Sequence, residues 1–144
     1  MRLDLQLYPA KSKQGGLTFR LGYGNRVNDD YAILNDDIVI HEDTFSLLES
    51  ILFKGQHPAA HWGITYLDHA HLQRAIPDLR QRQNDIALTR LSPTSLMGFM
   101  FHLDKRRLKS VEKKYRRPIV QFFDDIIAWM DANPQADGIT IFGL

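Results

Sequence analysis

The spacing of hydrophobic residues switches along this chain from every second position to helical spacing, and no other feature limits the fold as much. In LDLQLYP, Leu3, Leu5 and Leu7 alternate with polar residues, and Leu17, Phe19, Leu21 and Tyr23 do the same in LTFRLGYG. Alternation of this kind marks half-buried strands, because successive side chains point to opposite faces of a sheet. Near the other end, Ile119, Phe122, Phe123, Ile126 and Met130 form a broad stripe at helical spacing, with Gln121, Asp124, Asp125 and Ala128 largely opposite. That pattern predicts an amphipathic helix packed on the strands.

The segments between these two regimes fill in the rest. KSKQGG supplies turn chemistry between the first two strands and predicts an antiparallel pair. YAIL and IVI read as two more short strands, joined at Asn35-Asp36-Asp37, residue types that tolerate tight turns. A helix is predicted from Asp43 or Thr44, with Phe45, Leu48 and Leu52 on one face and Gly55 as its stop. WGITY predicts a strand, and Asp68 caps a helix through HAHLQRAI that Pro77 breaks or kinks. IALTRL fits helix and strand equally. Ser92-Pro93 opens a further helix carrying Leu96, Met100, Leu103, Val111 and Tyr115, with Pro118 as a kink or a new start. Asn133-Pro134 ends the helical part, and GITIFGL returns as a strand. Without a repeat or a linker, residues 1–144 are expected to form a single α+β domain. It has an N-terminal antiparallel sheet, several helices, and a C-terminal strand returning to the sheet.

Composition narrows the function. With 44% hydrophobic and 24% charged residues the chain is ordinary globular material. It has no cysteine, so disulfides, thiolate nucleophiles and iron–sulfur clusters are excluded. No apolar run approaches the ~20 residues that cross a bilayer, and Asp4 interrupts MRLDLQLYP where a signal peptide has its apolar block. A cytoplasmic protein is expected.

The formal net charge of +1 conceals two opposed regions. Between Gly22 and Asp43, in GYGNRVNDDYAILNDDIVIHED, Asp29, Asp30, Asp36, Asp37, Glu42 and Asp43 face the single cation Arg26. KRRLKSVEKKYRR, residues 105–117, sets eight cations against Glu112 alone. The acidic band lacks the ligand spacing, central glycine and terminal glutamate of a calcium loop. Adjacent Asp29 and Asp30 on a strand point to opposite faces and make no catalytic pair. His57 and His61 share a face only if Pro58 allows a helix, His69 and His71 do not, and neither pair has a carboxylate at zinc-hydrolase spacing. His102, beside the basic segment, reads as an ordinary partly exposed histidine. The glycines of GLTFRLGYGN lack the Gly-Lys-Ser/Thr ending of a phosphate loop, and Ser92, Ser95 and Ser110 lack a nucleophile elbow. No enzymatic activity, cofactor or metal is expected.

A compact domain with a concentrated acidic surface fits a binder of basic proteins, since such charge steers association. In its size, its strand-rich N-terminal region through GGLTFRLGYGN and its paired NDD runs at Asn28–Asp30 and Asn35–Asp37, the chain resembles the immunity proteins of bacterial polymorphic-toxin and contact-dependent growth-inhibition systems. The resemblance implies a stoichiometric inhibitor of a cognate toxin domain, often a nuclease with a basic active site. The six acidic residues of the band are then the expected partner-binding set. The rival expectation is a nucleic-acid-binding protein or small ribonuclease using residues 105–117, although that segment has only Tyr115 as a stacking aromatic.

Overall fold

The computed structural model describes residues 3–12, 16–29, 31–88 and 105–143, the side chains at 105–109, 111 and 112 excepted. The helix expected to open at Ser92-Pro93, together with Leu96, Met100, Leu103 and His102, lies outside the described residues. So does Asp30.

The described residues form one α+β domain around a five-stranded antiparallel sheet in the order β1-β3-β2-β5-β4. The strands are β1 (Tyr8–Pro9), β2 (Thr18–Tyr23), β3 (Ile38–His41), β4 (Ile64–Asp68) and β5 (Gly138–Phe142). Helices α1 (Glu42–Leu52), α2 (His69–Leu88) and α3 (Lys105–Asp131) accompany them, with a short 3-10 helix at Pro58–Trp62. The C-terminal strand does return to the sheet, lying between β2 and β4.

Strand alternation divides the sheet cleanly. Phe19, Leu21, Ile38, Ile40, Leu67, Ile139 and Ile141 point to one face and join a single core with Phe45, Leu48, Leu79, Phe122, Phe123 and Ile126 from the helices. The opposite face carries Arg20, Gly22, Thr140 and Phe142, which pair across β2 and β5 as Arg20↔Phe142 and Gly22↔Thr140. Among the described residues the core helices pack on the first face, yet every residue of β5 is buried. What covers it is the loop between β2 and β3.

Three expectations need correction. The opening residues contribute only Tyr8–Pro9 to the sheet, and these pair with β3 rather than with β2. The Leu3 amide instead donates to the Tyr115 hydroxyl at 3.3 Å, so the start of the chain is tied to α3. YAIL forms no strand. Pro77 does not break α2 and Pro118 does not start a new helix, since both lie inside continuous helices; the described part of IALTRL, whose pattern fits helix and strand equally, continues α2. Each proline removes one helical hydrogen bond, but the helices bury apolar residues on both sides of it. Leu72, Ala75, Leu79 and Ile86 anchor α2; Tyr115, Ile119, Phe122 and Ile126 anchor α3. Buried Gln83 adds a clamp between the helices, donating to the Val120 carbonyl at 2.9 Å and to Asp124 Oδ1 at 2.8 Å. Arg80 reaches the same carboxylate at 2.6 Å, and these hydrogen bonds hold Asp124 below the usual carboxylate range.

Candidate partner-binding surface

The loop from Gly24 to Asp37 is built around Arg26. Gly24 turns the chain out of β2 with φ +83°, a conformation natural to glycine. The Arg26 amide then donates to Thr140 Oγ1 at 2.9 Å, and Thr140 passes its hydroxyl proton to the Gly24 carbonyl at 2.7 Å. This fixes the guanidinium beneath the loop. Its Nη1 donates to Asp37 Oδ1 at 2.6 Å, its Nε to Asp29 Oδ2 at 3.3 Å, and its Nη2 to the Ala32 carbonyl. Asp37 Oδ2 accepts from the Leu34 amide at 3.0 Å, closing the turn that enters β3. The pair fits because β2 has no side chain under it. A Cβ on Gly22 would stand 2.5 Å from Asp37 Oδ1 and closer still to Arg26 Nη1.

A second arginine completes the base. Arg20 lies 4.0 Å over the Phe142 ring, with Arg26 5.2 Å from the same centroid. Its Nη1 donates to the Tyr31 carbonyl at 2.9 Å. Partial burial lowers its pKa from the usual arginine value. Tyr31 is held at φ 59°, a left-handed conformation disfavoured for a bulky residue. At the far side of the loop, Trp129 Nε1 donates to the Asp36 carbonyl at 3.2 Å and its ring stacks on Tyr23 at 4.3 Å.

The result is a loop turned inside out. Arg26 and Asp37 lie beneath it, while Val27, Tyr31, Ile33 and Leu34 stand 41–64% exposed. Asp29 and Asp36 are exposed among them. This arrangement explains why YAIL is no strand: the Ala32 carbonyl serves Arg26 and the Leu34 amide serves Asp37, so neither group is left for a ladder.

The acidic residues therefore do not form one surface. Asp29 and Asp37 converge on Arg26, and Asp36 adjoins them. Asp37, 2% exposed, faces inward and is not at the surface. Glu42 and Asp43 lie beyond β3, at its opposite end, roughly 17 Å along an extended chain from Asp37. Asp43 is exposed in the first turn of α1, where negative charge complements the helix dipole. Glu42 Oε1 lies 3.7 Å from His61 Nε2, and His61 Nδ1 hydrogen-bonds Glu49 Oε1. Phe19 and Trp62 meet the imidazole edge-on, so this buried cluster joins α1 to the 3-10 helix.

The remaining described histidines scatter. His57 Nδ1 accepts from the Ala59 amide, His71 Nε2 meets the Leu52 carbonyl, and His41 lies 3.3 Å from Asp4. Among the described residues no group of three histidine or carboxylate side chains is placed to hold a metal ion, and no helix is long and apolar enough to cross a membrane. Comparison with protein families, with curated proteins and with solved structures returned no match.

Sequence reasoning missed Arg26 as the organiser and the apolar side chains as the surface. One signal was present. A lone cation amid six acids, two residues after a Gly-Tyr-Gly run, is placed to neutralise its own loop.

Proposed function

We propose that the chain is a binding protein that neutralises a basic protein partner, and that the loop 25–36 is its contact surface. One observation carries the reading: Val27, Tyr31, Ile33 and Leu34 face solvent on a loop whose Arg26–Asp37 ion pair is buried beneath it. An exposed Leu alone means little, but these four lie on one loop anchored by a buried ion pair. Interfaces draw their energy from a few apolar and aromatic side chains at the centre of a charged rim. Preorganising them removes part of the ordering cost of association. Asp29 and Asp36 provide a negative rim that steers a cationic partner.

In the setting of the immunity-protein resemblance, the partner is a toxin domain, a nuclease with a phosphate-binding groove. The experiment is titration calorimetry with the toxin domain encoded beside this gene, using the wild type and a Tyr31→Ala, Leu34→Ala variant. The reading requires tight wild-type binding and an unchanged fold in the variant, with binding weakened by about 2 kcal/mol or more. Undiminished binding by the variant would place the interface elsewhere.

A further inference from the structure

Where the start of α2 meets the end of α3 lies a cavity of about 200 Å³. Its apolar wall is Leu72, Ile76 and Met130, with the ring of Tyr23 alongside. The Tyr23 hydroxyl is committed to the Trp129 carbonyl and is not offered to the cavity. His69, Gln73, Asp131 and Asn133 complete the lining. The Asp131 carboxylate has no ion-pair or side-chain hydrogen-bond partner among the described residues.

Among the described lining residues Asp131 is the one Asp, Glu, Lys or Arg, with His69 and Tyr23 the other titratable side chains. Asp131 occupies the last turn of α3, which contains no basic residue, although a helix C-terminus carries partial negative charge and favours cations. The N-terminus of α2, the nearby positive dipole end, is already engaged by Asp68, whose Oδ1 accepts from the His71 amide at 2.8 Å.

We propose that this cavity binds an alkyl cation, an ammonium or guanidinium group on a short aliphatic stem. The stem lies against Leu72, Ile76 and Met130, and the charged head meets Asp131 at the mouth. The volume is below the ~300–1,000 Å³ of sites for drug-sized ligands, which fits one extended side chain or small amine and excludes a nucleotide. The inference does not depend on the loop 25–36 binding a partner.

The test is an amide chemical-shift titration with n-butylammonium and n-butylguanidinium, against n-butanol and butyrate as neutral and anionic controls. Saturable shifts confined to Gln73, Asn133, Ala136 and Gly138 are expected for the cations alone. Asp131→Asn should weaken binding about tenfold, the equivalent of one charge-assisted hydrogen bond; its fold is verified by its own amide spectrum. Equal binding of n-butanol, preference for butyrate, or shifts spread over the surface would overturn the proposal. A further arm separates the sources of the cation. If N-acetyl-arginine amide binds as well as n-butylguanidinium, the cavity admits a side chain from a polypeptide. If the free cations alone bind, its ligand is a small amine. Either result supports the alkyl-cation site.

Discussion

Arg26 Nη1 and Asp37 Oδ1 lie 2.6 Å apart with side chains only 5% and 2% exposed, and this contact sets which way the loop 24–37 presents its residues. Two charges that a surface loop ordinarily shows to water, Arg26 and Asp37, are placed under it. The apolar residues between them are left facing out.

Removing one member of this pair strands the other in a dry environment. Arg26→Met and Asp37→Asn should each cost about 3–5 kcal/mol, the usual penalty for an orphaned buried charge. The double variant Arg26→Met, Asp37→Leu should regain much of that loss, because a buried pair often contributes little net stability over an apolar replacement. Its loop should nonetheless lose order, since the Ala32 carbonyl and Asp29 lose their donor. Denaturant unfolding with loop amide NMR separates the two effects. A double variant as unstable as either single variant would show that the pair itself stabilises the fold.

Gly22 should be intolerant for the same reason. Its Cβ position is occupied by the Arg26–Asp37 contact, so Gly22→Ala must push the pair off β2, at the ~1–3 kcal/mol typical of overpacking. Gly24→Ala meets no neighbour within 4 Å and should pay only for its left-handed backbone, about 1–2 kcal/mol. Thermal melts of the two variants, compared with loop amide shifts, check this: only Gly22→Ala should disturb the resonances of Ala32 and Leu34.

Tyr31 should show a trade-off between stability and binding. Its backbone stands at φ 59°, and Tyr31→Gly relieves about 1 kcal/mol of left-handed strain while losing the ring's tilted contact with Phe142. The melting temperature should hardly move. Partner affinity should fall by about 2 kcal/mol, as for loss of an aromatic anchor. A large fall in melting temperature would make Tyr31 a structural residue.

The strands β2, β3, β4 and β5, the helix α1, the first part of α2 and the Ile119–Met130 part of α3 were legible because their periodicity is local. Leu21, Ile40 and Phe45 each sit where strand or helix spacing places them. YAIL was not legible. Its pattern is that of a short strand, and only the placement of Arg26 beneath it, through Thr140 more than a hundred residues away, diverts its backbone groups. Pairing of β1 was hidden likewise, since Tyr8 lies opposite Val39 and no turn dictates that register. Pro118 left a kink and a new start both open, because the packing of Tyr115 and Phe122 on either side of it, which carries one helix through, is tertiary. As for the candidate surface, the acids drew attention to the loop 25–36, but they marked buried Asp37 and partly buried Glu42 as well, and charge alone does not reveal which carboxylates face inward.

Tyr23 gives the alkaline limb of stability a specific sign. Burial first, and then Asp36, push its phenol from 10.0 up to about 12. Because the folded state holds the proton more tightly, this contribution is complete below pH 10.0 and is lost as pH rises through about 12. Unfolding free energy measured across that window should fall with pH less steeply in Tyr23→Phe than in the wild type. Equal slopes would mean that Tyr23 ionises in the folded protein as it does in the unfolded chain.

The two ends of β3 should separate cleanly in function. Asp36 is exposed beside the apolar loop, so Asp36→Asn should leave stability within about 0.5 kcal/mol, as surface changes do, and slow association with a basic partner. That slowing should shrink as salt rises, because steering acts over a Debye length of about 8–10 Å near physiological ionic strength. Glu42 is 12% exposed against His61, at the other end of the strand. Glu42→Gln should therefore alter the melting temperature and leave the association rate unchanged. Stopped-flow binding at two salt concentrations, with melts of both variants, decides between them. If Glu42→Gln slowed association as much as Asp36→Asn, the contact surface would extend along the whole of β3 and the loop 25–36 would be only part of it.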